Sequence, residues 1–115
     1  MKIEFRTNKL KKIASDTNYA RKELGEKAAK RLLMRLNALY IAETFEDLRS
    51  VPGRFHELKY ERKGQWGFDL EHPLRLIIEP QSKPIAVDDN GAYIWAEISD
   101  AVIIEIVNYH KERKG

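Results

Sequence analysis

Apolar positions along this chain recur on two different periods, and the switch falls near Val51-Pro52-Gly53. Before the switch, KIEFR at 2–6 alternates Ile3 and Phe5 with charged neighbours, the period of two of a short half-buried strand. Thr7 and Asn8 are helix-capping residues, and Leu10, Ile13 and Ala14 follow at helical spacing. SDTN at 15–18 interrupts that pattern, because its side chains compete for backbone hydrogen bonds. A second helical piece over 19–24 ends at Gly25. From 26 to 42, Ala28, Ala29, Leu32, Leu33, Leu36, Leu39 and Tyr40 recur at three and four and predict the longest helix, leaving Lys27, Lys30, Arg31 and Arg35 largely on its opposite face. Thr44 and Asp47 have capping-box spacing and predict a brief helical turn at 44–48.

After the switch, RFHELKY (54–60), QWGFDL (65–70) and LRLIIE (74–79) read as three neighbouring antiparallel strands separated by ERKG and EHP. Lys83-Pro84 and Asp88-Asp89-Asn90-Gly91 are turn signals, and VIIEIVNY (102–109) closes the sheet. One strand, two to three helices and then strands predict an α+β domain. Its helices pack on one face of a mainly antiparallel four- to five-stranded sheet, and the other face is left open.

Composition narrows the chemistry. A chain of 115 residues has room for one hydrophobic core, so residues 1–115 are read as a single domain. With no cysteine there is no disulfide framework, thiolate metal site or cysteine nucleophile. No apolar run is long enough to span a bilayer and no secretory leader is evident, so the expected address is cytoplasmic, with no membrane partner. The formal net charge of +3 is uneven: residues 1–40 carry eleven Lys/Arg against four Asp/Glu, the remainder ten against fourteen. Clustered cations favour an acidic partner such as a nucleic-acid backbone, and a solvated helical face is the plainer alternative.

Candidate chemistry sits on the strands. If Leu74, Leu76 and Ile78 face the helices, Arg75 points to the open face with Ile77 and Glu79, placed to meet a phosphate. His56 and Lys59 come from the first strand of the meander, Arg62 and Lys63 from its hairpin, and His110 from the end of the last strand. Metal-free RNA cleavage needs a base for the 2′-hydroxyl, an acid for the 5′-oxygen and cations on the phosphorane, all of which His, Lys and Arg supply. A cross-strand charge pair of Arg75 with Glu57 is the structural alternative. Strict alternation also puts His56 and Lys59 on opposite faces, so a shared site requires a bulge or a strongly twisted strand end. His72, before Pro73, reads as a turn-shaping residue of second rank. The three histidines lack the spacing of a metal site, and no cofactor is expected. Trp66 and Phe68 share a face with Leu70 and read as core, and Trp95 packs the long loop; Tyr109 either stacks on a base or covers the sheet edge.

RFHELKYERKGQWGFDLEHPLRLIIEP resembles the central meander of HigB-type toxins of the RelE superfamily, through its HxLK-x(2)-R-x-G-x-W stretch and its HPxRL, and IIEIVNYH resembles their closing strand. The resemblance covers most of the chain. It implies a RelE-like fold and a ribosome-associated endoribonuclease that cuts translated mRNA, held inactive by a cognate helix-turn-helix antitoxin. Residue by residue, it implies functional roles for His56, Lys59, Arg75, Tyr109 and His110. Asn108 stands where many relatives have Asp, which passes general-base duty to His110 or His56. Lys27, Lys30, Arg31 and Arg35, with Arg62 and Lys63, are then candidates for gripping ribosomal RNA. Two other readings compete: a non-catalytic toxin resembling the ParE branch, which binds DNA gyrase, and a plain RNA- or protein-binding module.

Overall fold

A computed structural model describes residues 1–109; His110 and the tail after it lie outside the described residues. The chain folds as β1 (Lys2–Phe5), α1 (Asn8–Ser15), α2 (Thr17–Leu24), α3 (Glu26–Ile41), β2 (His56–Glu57), β3 (Trp66–Asp69), β4 (Leu74–Glu79) and β5 (Asp100–Asn108), with short 3-10 turns at Phe45–Leu48, Tyr60–Arg62 and Trp95–Glu97. The sheet order is β1-β5-β4-β3-β2, with β1 parallel to β5 and every other pair antiparallel. This is an α+β fold with an N-terminal strand and helices packed on a mixed, mostly antiparallel sheet.

Local chemistry explains the helix boundaries. The Thr7 hydroxyl accepts from Leu10 N at 3.1 Å and caps α1, and Asp16 Oδ1 accepts from Tyr19 N at 3.1 Å and caps α2. The capping box of Thr44 and Asp47 starts the turn at Phe45. The N-terminal amine of Met1 donates to the carbonyls of Leu39, Tyr40 and Ala42, so a cation meets the negative end of the α3 dipole.

Leu32, Leu36 and Leu39 of α3 pack with Phe45, Leu48, Phe55, Trp66, Phe68, Leu76 and Ile78 in the main core. Phe45 sets its ring edge-on to both Phe55 and Trp66, with centroids 5.1 and 5.0 Å apart. Trp66, Phe68 and Leu70 are core residues, and Trp95 covers them while its Nε1 donates to Glu57 Oε2 at 2.7 Å. A smaller apolar cluster of Ile77, Ile104 and Val107, flanked by Leu58 and Val102, lies on the other side of the sheet.

Two features of the sheet depart from simple alternation. β2 is two residues long, where the pattern predicted a seven-residue strand, because the chain turns away after Glu57 and Tyr60 takes φ 58°. Ile77 pairs with Glu105 and Ile78 with Ile103, so Ile104 is the extra residue of a β-bulge. The bulge re-phases β5: Ala101, Ile103 and Ile106 face the helices, whereas Ile104 and Val107 face the open side.

Candidate active site on the open face

Arg75 is the centre of the site. It pairs across the hairpin with Asp69, and its Nε donates to Asp69 Oδ1 at 3.2 Å. The other oxygen, Asp69 Oδ2, accepts from Arg54 Nε at 2.9 Å. The Arg75 guanidinium lies over the ring of Tyr109, 4.3 Å from its centroid, a cation-π contact. Tyr109 Oη is in turn 2.6 Å from His72 Nδ1, and the two rings meet edge to face. Tyr109 is seated there by its own backbone N–H, which donates to the Pro73 carbonyl at 3.2 Å.

The approach of Arg75 to the sheet depends on Gly67. A Cβ at that position would lie 2.6 Å from Arg75 Cδ and 3.2 Å from its Nε, so the arginine stem runs through the space a side chain would fill. Beneath the site, Arg35 Nε donates to the Asp69 carbonyl at 2.8 Å while Asp69 N donates to the Gly53 carbonyl at 2.7 Å. Gly53 has φ 115°, and a Cβ there would overlap the Arg35 guanidinium. The backbone of Asp69 is thus pinned from both sides.

His56 pairs with Gly67 across β2 and β3. Its Nδ1 is 2.6 Å from the Arg54 carbonyl, and since a carbonyl only accepts, Nδ1 carries the proton and Nε2 of the neutral ring is a free acceptor. Its pKa is held below the ordinary histidine value, chiefly because burial disfavours the imidazolium, with the Arg54 and Arg75 cations adding to the effect; the Arg54 carbonyl and Asp69 oppose it.

These contacts run His56, Arg54, Asp69, Arg75, Tyr109, His72 along one end of the sheet. A cleft of about 360 Å³ opens beside them, lined by Arg31, Arg35, Arg54, Asp69, Glu71, His72 and Tyr109. It presents three arginines, an imidazole and a phenol together with two carboxylates, Asp69 paired with Arg54 and Glu71 lying 3.8 Å from Arg31. Among the described residues no group of three or more His, Asp or Glu is placed to hold a metal ion.

The expected residues divide. Arg75 and Tyr109 come together, and His72, expected only to shape the turn, joins them. Asn108 does not: it pairs with Leu74 and lines a different cleft with Arg6, Lys9 and Glu23. Lys59 and Lys63 are exposed on the β2–β3 connection and make no ion pair among the described residues. Arg62 folds over the sheet, donating to Gln65 Oε1 at 2.8 Å and Glu105 Oε2 at 3.0 Å. Lys27, Lys30 and Arg31 are exposed on α3, Arg31 lying 3.8 Å from Glu71. Arg35 corrects the expected helix face: only 6% exposed, it points into the protein, where desolvation lowers its pKa. The alternative, a cross-strand charge pair for Arg75, is met with Asp69 rather than Glu57. His110 lies outside the described residues.

Asp69 and Arg54 were missing from the sequence-based set. Asp69 was findable, since Asp69 and Arg75 flank the Glu71-His72-Pro73 turn symmetrically and fall opposite each other in any hairpin closed there. Arg54, before a two-residue strand at φ 52°, carries no periodic signal.

No family model matches the chain, and no curated protein matches it. Among the described residues no helix is long and apolar enough to cross a membrane.

Proposed function

We propose that this chain is a HigB-like toxin of the RelE superfamily, a metal-independent endoribonuclease that cuts mRNA during translation in the cytoplasm and is silenced by a cognate helix-turn-helix antitoxin. The observation that carries the proposal is the placement of Arg75 over Tyr109 with the His72 imidazole 2.6 Å from the phenol, where His72 and Tyr109 line a cleft together with Arg31, Arg35 and Arg54.

In the proposed reaction the 2′-oxygen attacks the adjacent phosphorus and the bond to the 5′-oxygen breaks, leaving a 2′,3′-cyclic phosphate and a 5′-hydroxyl. His56 Nε2, neutral at physiological pH, accepts the 2′-hydroxyl proton. Arg75 and Arg54 stabilise the charge that develops on the phosphorane. The Tyr109 phenol, backed by His72, donates to the leaving oxygen, a role His110 shares; Lys59 contacts the scissile region's phosphates. A site without a metal gains much from a partner that holds the substrate in line, which is the role given to the ribosome. Lys27, Lys30, Arg31 and Lys63 supply phosphate contacts to ribosomal RNA. Arg35 is given a structural role.

One observation favours the binding-module alternative: Asp69 takes both Arg54 and Arg75 and neutralises part of their charge. The two readings separate on the chemistry of the products. Purified protein added to a translating system should release mRNA fragments with 5′-hydroxyl ends. Intact mRNA, or fragments bearing only 5′-phosphates, would refute the proposed reaction.

A further inference from the structure

The β2–β3 connection holds one aromatic residue in solvent at a backbone conformation that does not suit it. Tyr60 takes φ 58°, in the left-handed region that Gly and Asn enter readily and a bulky side chain does not. Strain of this kind persists only where the surroundings hold it. Here the Tyr60 carbonyl accepts from Lys63 N at 3.0 Å and the Lys59 carbonyl from Arg62 N at 3.1 Å, while the Arg62 guanidinium ties the turn to Gln65 and Glu105. Packing does not offset the strain, since Tyr60 is 85% exposed.

The place of the turn and the charges around it decide what the ring can meet. Leu58 lies beside Arg75 over Gly67, both reaching within 3.2 Å of the point a Gly67 Cβ would take. Lys59 is extended, at φ −121° and ψ 171°, so the Tyr60 backbone stands about 7 Å at most from that of Leu58. Tyr60 is thus within reach of a nucleotide next to one whose phosphate Arg75 holds. Its neighbours Lys59, Glu61 and Lys63 are charged and exposed, so the ring belongs to no apolar patch that a second protein would cover. A single ring among charges, with cations in excess, fits a flat partner that stacks on its face and carries a phosphate, which is an unpaired nucleotide.

We infer that Tyr60 is a base-stacking residue: its ring takes the face of an unpaired RNA base while Lys59 contacts the phosphate of the same nucleotide. The inference rests on the reading of this surface as an RNA site, and not on the cleavage step. Every base has a π-face, so the contact separates strands with bases from strands without them and selects no particular base. The phenol hydroxyl has no part in it.

Anisotropy titration of the full chain with a fluorescein-labelled 2′-O-methyl RNA decamer tests it. A strand without 2′-hydroxyls cannot undergo the proposed reaction, so binding is read apart from cleavage. A second decamer has the same phosphates with abasic sugars throughout. The parent should bind the base-bearing strand more tightly than the abasic one. Tyr60→Ala should weaken binding of the first about tenfold and leave the second unchanged, and Tyr60→Phe should match the parent on both. Lys59→Ala should weaken both strands alike. No binding by the parent, equal affinity of the parent and Tyr60→Ala for the base-bearing strand, or a loss shared by the abasic strand overturns the inference. Stacking in a protein that releases no mRNA fragments upholds Tyr60 and refutes the cleavage reading; cleavage by a protein that Tyr60→Ala leaves binding both strands like the parent refutes the stacking alone.

Discussion

Arg75 is held between two partners of different kinds: Asp69 Oδ1 accepts from its Nε at 3.2 Å, and the face of Tyr109 lies 4.3 Å from its guanidinium carbon. The carboxylate fixes the stem and the ring fixes the plane, so in the proposed reaction the guanidinium is oriented before a phosphate binds. Such pre-orientation is what makes a cation effective on a transition state.

Tyr109→Phe separates the ring from its hydroxyl. The ring that supports Arg75 remains, so stability should change by less than about 1 kcal/mol, the net value of one partly exposed hydrogen bond. Cleavage should fall about 100-fold, the scale of a lost proton-transfer group. Thermal melting and single-turnover rates on ribosome-bound mRNA measure the two effects; an undiminished rate would reduce Tyr109 to a platform for Arg75.

Gly67→Ala should act through Arg75. The new methyl takes the space of Arg75 Cδ, and the arginine must leave its present position. Cleavage should drop about tenfold or more, and the double variant Gly67→Ala/Arg75→Ala should be no slower than Arg75→Ala alone. Additive losses would show that Gly67 matters for some other reason.

Arg35 and the α3 lysines should behave in opposite ways. Arg35→Ala removes a buried stem and the donor to the Asp69 carbonyl, and should cost about 2–4 kcal/mol in urea unfolding. Lys27→Ala and Lys30→Ala should each stay within about 0.5 kcal/mol of the parent, yet lower the salt dependence of ribosome binding by about one unit of slope apiece. An Arg35→Ala protein as stable as the parent would contradict the structural role.

His56 gives a pH dependence with a defined sign. Its folded-state pKa lies below the unfolded value of about 6.5, so in that window the unfolded chain binds more protons and stability rises with pH. The stabilisation from His56 is fully present above about 6.5 and is lost as pH falls through the folded value. His56→Gln should flatten this part of the stability profile, and NMR titration of the ring should give a pKa below 6.5. A ring that titrates at or above the ordinary value would remove the basis for His56 as a neutral base.

How far the sequence could lead is clear from single positions. The helices and their caps were legible because Thr7, Asp16 and Thr44 act locally, and the open-face placement of Arg75 followed from Leu76 and Ile78 alone. The Ile104 bulge was not legible: VIIEIVNY offers an apolar residue at nearly every position, so no period marks where the phase changes. Arg35 misled because its position between Leu32 and Leu39 belongs to the buried face, and only a long stem ending at a backbone carbonyl allows a cation there. The meeting of His72 with Tyr109 joins a turn to the residue that follows β5, 37 positions away, and depends on the closing register of β4 and β5.

The most direct test of the proposed function is controlled expression of the chain followed by transcript-wide mapping of mRNA 5′-ends, comparing the parent with Arg75→Ala. The account predicts new 5′-hydroxyl ends inside translated reading frames, reduced about 100-fold or more in the variant. No new ends with the parent, or an undiminished yield with Arg75→Ala, would contradict it.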